Sequence, residues 1–203
     1  MNRPNAFFLK IFVIFLPMAF IGTMLHEGGH IAVARVLGYG TTLHYDSMSW
    51  SGDSGWNPNA DPMHDTWILL GGPLANMGIG CFGLFWLARL SKRKDAAFDG
   101  KRTLASVLAL FWSRQLFNLG LALVEMYPYG DWGSSDEVRL ARRFGLPDGS
   151  LLLVTAFLAS LAVLRTITHV PKGLRVTFTI AGLLGSVLGF GVWYAYLGPE
   201  LLP

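Results

Sequence analysis

The stretch "IFVIFLPMAFIGTMLHEGGHIAVARVLG", Ile11 to Gly38, decides what kind of protein this is. From Ile11 to Leu25 it carries no charged side chain. With the apolar residues from Ala6 onward it exceeds the ~20 residues that cross a bilayer. It then places His26, Glu27 and His30 within five positions. Ionisable groups are expensive at membrane depth, and where they occur they mark function.

The rest of the chain agrees with a membrane setting. Of its 203 residues, 52% are hydrophobic and 14% are charged, against about 25% charged in ordinary soluble domains. The net charge of +3 is modest. Its basic residues lie between apolar blocks, not along one stripe, so they read as orientation signals, and nucleic-acid binding is excluded. Cys81 is the single cysteine, which rules out an internal disulfide and a cysteine-based zinc cluster. Arg3 and Lys10 ahead of the apolar run imitate a signal peptide, but no small-residue cleavage pattern follows. The segment therefore reads as a retained first span.

Five spans are expected, at about Ala6–Leu37, Thr66–Leu90, Thr103–Tyr127, Ser150–His169 and Val176–Leu197. Pro17 should kink the first. The fold class is an all-α polytopic membrane protein forming a single membrane domain over 1–203, with three core spans in 6–146 and two more in 147–203. The alternation in "TTLHYDSMSW" adds a short hairpin in the first loop. That loop has no Lys or Arg, whereas "SKRKDAAFDGKR" and "VPKGLR" are basic. The bias puts the N-terminus in the cytoplasm. Arg139, Arg142 and Arg143 run against it and read as part of a surface helix. Whatever the orientation, the end of the first span, the start of the second and the end of the third meet on one side of the membrane.

His26-Glu27-Gly28-Gly29-His30 has the spacing H-E-x-x-H. Residues four apart share a helix face. Two imidazoles there can bind one Zn²⁺, with Glu27 beside them as the base for an attacking water. A catalytic zinc has three protein ligands. Asp131, Asp136, Glu137, His44 and His64 are the candidates for the third. "GGPLAN", Gly71 to Asn76, offers small residues for close packing and one amide for a substrate backbone or for helix–helix contact. In the third span Arg114, Asn118 and Glu125 fall near one face with Gln115 beside it, either as an internal polar network or as a water path feeding the zinc.

On "HEGGH", "GGPLAN" and an aspartate after the third span, the region from Phe7 to Leu146 resembles the site-2 protease family of intramembrane zinc metalloproteases. "GGPLAN" is similar to the family's G-P-x-x-N element, which implies substrate contact by Gly72, Pro73 and Asn76. The family's third ligand is the aspartate of an N-x-x-P-x-x-x-L-D-G pattern. Here Asn118 and Pro128 are present but "LDG" is not. Asp136 in "SSDEVRLARRFGLP" is the favoured third ligand, with Asp131 in "YPYGDWG" its rival. The resemblance implies a Zn²⁺ cofactor, Glu27 as the catalytic base, and a membrane-spanning or membrane-proximal peptide as substrate. The alternatives are a non-catalytic scaffold or partner-binding protein keeping the same fold, and a metal-handling membrane protein.

Overall fold

The structure, a computed structural model, describes residues 4–51, 61–92 and 98–202. Parts of the first and second loops, including Arg93 and Lys94 of the basic segment, lie outside the described residues.

Five helical segments are long and apolar enough to cross a membrane: Asn5–Val36, Met63–Ser91, Gly100–Pro128, Ser150–His169 and Lys172–Leu201. The first is broken at its proline. Helix α1 (Pro4–Phe15) stops before Leu16, and α2 (Met18–Val36) restarts after Pro17, which has no N–H to continue the ladder. Strands β1 (Thr41–Leu43) and β2 (Met48–Trp50) then form the expected hairpin, with Thr41 opposite Trp50 and Leu43 opposite Met48.

Helix α3 (Pro62–Ser91) begins on Asp61, whose side chain accepts from the Met63 N–H at 2.8 Å, with Pro62 in the first turn. Both are favoured start signals. The third span is not one uniform helix. It comprises α4 (Gly100–Ala109), a 3₁₀ turn (Leu110–Trp112) and α5 (Ser113–Tyr129). Left-handed glycines at Gly130 and Gly133 turn the chain from α5 towards α6 (Asp136–Arg143). Helix α7 (Ser150–His169), α8 (Arg175–Val192), a π turn (Trp193–Leu197) and α9 (Gly198–Leu201) complete the chain.

Away from the hairpin, Phe7, Ile11 and Phe15 of α1 pack on Phe178 and Ala181 of α8 and on Val107 and Leu110. At the hairpin end, Val138 of α6 packs with Ala122 and Leu152. This seats α6 on α5 and α7 and leaves its N-terminus against His26 and His30 of α2. Much of the remaining helix surface is large and apolar, including Val124, Phe157, Leu183 and Val187. Such a surface would promote association in water but is the normal lipid contact of a spanning helix.

The last span reaches back to the first loop. The Trp193 indole N–H donates to the Tyr45 carbonyl at 2.9 Å, and the Tyr45 N–H donates to the Leu202 carbonyl at 2.9 Å. The hairpin turn is thus clasped by the chain's C-terminal segment.

Candidate metal centre

Helix α2 points His26, Glu27 and His30 in one direction, and all three are buried. Their ligand atoms lie within 4.8 Å of one another. The face can be this crowded because α3 crosses it on glycines. A Cβ on Gly29 would strike the Gly71 carbonyl, and one on Gly71 would meet the Gly29 carbonyl. A Cβ on Gly72 would lie against the Nε2 atoms of both His26 and His30. Gly72 is therefore the floor under the two imidazoles.

The second helix also orients the rings. His30 Nδ1 is 2.6 Å from the Ile68 carbonyl, which can only accept, and 3.2 Å from the Gly72 N–H, which can only donate. The shorter contact favours the hydrogen on Nδ1, with Nε2 presenting a lone pair. Pro73 lies in the adjoining turn of α3 and offers no N–H to the Leu69 carbonyl. Asn76, 1% exposed, has its amide nitrogen 3.4 Å from His26 Nδ1, while its Oδ1 has no partner. Exchanging the two ends of the amide, which are assigned from the hydrogen-bond network, lets Oδ1 accept from His26 Nδ1–H. His26 then also presents a lone pair at Nε2.

Asp136 arrives from the N-terminus of α6. Its Oδ2 lies 2.7 Å from His26 Nε2 and 3.2 Å from His30 Nε2. Burial pushes this carboxyl up, but its hydrogen bonds and charge interactions with the two histidines outweigh burial and hold it well below the usual carboxylate range. With the hydrogen of His30 on Nδ1, a ring lone pair and a carboxylate face each other, an arrangement that needs a cation or proton between them. Two donors ~2.0 Å from a tetrahedral zinc are about 3.3 Å apart. Two imidazoles, one carboxylate and the outer hydrogen bonds on His30 and His26 are the donor set and support that such an ion takes.

The remaining candidates sit elsewhere. Asp131 is held by Arg142 at 2.6 Å on an exposed surface. His64 Nδ1 is 2.9 Å from the Tyr39 hydroxyl, and His44 Nε2 is 3.3 Å from Ser49 Oγ. Glu137 is buried, which pushes its carboxyl up against the weaker opposing pull of its own backbone N–H. Glu125 packs by Gly133. The three arginines do lie on a helix, α6, where Arg142 also pairs with Asp148 at 2.8 Å and Arg143 bonds Asp65 and Thr66 of α3.

A cavity of about 410 Å³ opens over the centre. His26, Glu27, His30 and Asp136 form one wall; Asp46, Ser47, Met48 and Trp50 of the hairpin form another; Arg114 and Asn118 of α5 and Arg139 of α6 form a third. The sequence marks Arg114 and Asn118 as part of a polar stripe, with a water path feeding the zinc as one of its two readings, and the structure places both residues in the cavity that the histidines line. A charged arginine in a spanning helix costs about 2.5–3.5 kcal/mol at the helix centre, which an aqueous cavity relieves. Comparison with protein-family models, with curated proteins and with solved structures returned no match.

Proposed function

We propose that this chain is a multi-pass zinc metalloendopeptidase that cleaves peptides within or beside the membrane. The single observation that carries the reading is the convergence of His26 Nε2, His30 Nε2 and Asp136 Oδ2 beside Glu27 at the floor of a polar cavity. Those three residues would hold the ion, and Asp131 is set aside because Arg142 engages it. A bound Zn²⁺ supplies Lewis acidity, lowering the pKa of water towards ~7 and polarising a carbonyl.

The chain's own groups do the rest. Glu27 takes the proton of the attacking water and returns it to the leaving amine. Ile68 and Asn76 fix the two rings, and Gly72 leaves them room. A helical substrate hides its carbonyls in hydrogen bonds and must unwind to react. β2 pairs only with β1 among the described strands, so its outer edge can take an extended segment by strand addition, and Met48 and Trp50 of that strand line the cavity. Gly72, Pro73 and Asn76 serve this site from beneath. The first loop, which has no Lys or Arg, favours a cytoplasmic N-terminus against the three arginines of α6, and this orientation puts the site towards the outer face.

The test combines metal analysis with cleavage of a transmembrane-peptide library by the purified chain. Wild type is expected to hold about one zinc. Glu27→Gln should keep the metal and reduce cleavage by about 10²–10⁴-fold, whereas His26→Ala and Asp136→Ala should each lose it. Full cleavage by Glu27→Gln, or unchanged zinc in His26→Ala, overturns the proposal.

A further inference from the structure

Arg114 and Asn118 are one helical turn apart on α5, and both line the cavity that the histidines line. The proposed chemistry uses neither. The obvious role for a half-buried arginine in a spanning helix is an internal ion pair, and Glu137 on α6 is a candidate partner. That pair is not made. Among the described residues no hydrogen bond joins the guanidinium to Glu137, and the Nε of Arg114 is buried without a partner. Asp136 is engaged by the imidazoles, and Asp65 by Arg143. Asp46, on the hairpin, also lines the cavity and makes a hydrogen bond with its neighbour Ser47. Arg114 is close enough to act electrostatically on His26, Glu27 and Glu137. It therefore presents a charge to the reaction cavity with no anion hydrogen-bonded to it among the described residues.

A guanidinium fork next to an amide is the donor set that planar carboxylates take, through paired N–H bonds. We infer that Arg114 and Asn118 form a carboxylate-recognising subsite beside the metal centre, so that the preferred peptide carries a free carboxylate close to the bond that is cut. The inference deepens the peptidase reading and rests on it for the class of ligand. The carboxylate has two sources, the C-terminus of a peptide or an Asp or Glu side chain. The first would confine cleavage to chain ends, and the second would set an internal sequence preference.

Binding to the full chain in detergent, stripped of metal by a chelator, separates this subsite from the zinc and from turnover. Three probes are needed: acetyl-Leu-Leu with a free terminus, its C-terminal amide, and acetyl-Leu-Asp amide. At least one of the two acids should bind about tenfold or more tighter than the neutral amide, as charged hydrogen bonds predict, and which one does so identifies the source. Arg114→Gln should abolish the difference and Arg114→Lys should keep part of it. Asn118→Ala should weaken the acid alone, and it tests the same subsite should Arg114→Gln fail to fold. Equal binding of acids and amide by wild type overturns the inference, as does a difference that survives Arg114→Gln. Loss of the peptidase reading would show separately, as full cleavage by Glu27→Gln with carboxylate binding intact.

Discussion

Two helix pairs in this molecule are built on the same device and do different things. Where α2 crosses α3, Gly29 and Gly71 bring backbone against backbone, each closing on the other's carbonyl. Where α1 crosses α8, Gly185 closes on the Phe12 carbonyl and Gly189 on the Leu16 carbonyl. Both contacts follow the rule for helices in lipid, where apolar burial provides no driving force between helices and small residues allow close packing. The filling differs. The α1–α8 contact is packed with rings, Phe15 meeting Phe178 edge to face at 5.8 Å between centroids. The α2–α3 contact holds two imidazoles, the Ile68 carbonyl and the Asn76 amide. Close packing is thus a common ground state for the fold, and the chemistry comes from which atoms the approach brings together. The small-residue stripe in "GGPLAN" is a packing surface at Gly71 and the surface under the two imidazoles at Gly72.

Substitutions at the two contacts are the direct way to break this comparison. Gly72→Ala should have the largest effect, because the new methyl occupies the space of both Nε2 atoms. Zinc affinity should fall by about 100-fold or more, at or beyond the upper end of outer-shell changes, with cleavage lost in parallel. Retention of stoichiometric zinc at wild-type affinity would mean that α3 can retreat, and that the glycine floor is no part of the centre.

Gly189→Ala should have the intermediate effect. Its methyl meets the Leu16 backbone, which cannot rotate away as a side chain can, and overpacking of this kind costs about 1–3 kcal/mol. A lowered midpoint of thermal unfolding in detergent, with zinc content and cleavage per folded molecule unchanged, is the expected result. If zinc is lost together with stability, the two contacts are coupled and the distinction between a packing pair and a site pair fails.

The spans, the broken first helix and the hairpin were legible because each rests on a local rule. A long apolar run, a proline without an N–H and a two-residue alternation all act within a few positions. The His26–Glu27–His30 wall was legible for the same reason, since a spacing of four on a helix fixes a shared face. The interruption of the third span at Leu110–Trp112 was not legible, because no proline or glycine marks it. Nor was the position of Asn76. It depends on how α3 is rotated past the turn at Pro73, and a helix turns by about 100° per residue. The Tyr45–Trp193 clasp joins segments far apart in the chain, so no local pattern could announce it. Arg114 was visible as an anomaly. Its place in the cavity required knowing where α6 carries Asp136.

The two aspartates of the third loop sharpen the comparison at its smallest scale. In sequence both are acidic turn residues soon after Pro128, and the difference between them is created by α6. Val138, Leu140 and Ala141 bury one side of that helix, which fixes the rotation of its first residue and turns Asp136 onto the imidazoles. Asp131 precedes the helix and is left on the surface. There Arg142 holds it at 2.6 Å and holds Asp148 at 2.8 Å, with the side chains 58% and 41% exposed and that of Arg142 41% exposed. Exposed pairs of this kind contribute little to stability, and Arg142 keeps Asp148 when Asp131 is removed. Asp131→Ala should therefore change stability by less than about 0.5 kcal/mol and leave zinc content and cleavage as in wild type. Loss of metal in Asp131→Ala would instead show that the loop, not the buried face of α6, selects the ligand, and the reading of Asp136 would have to be exchanged for its neighbour.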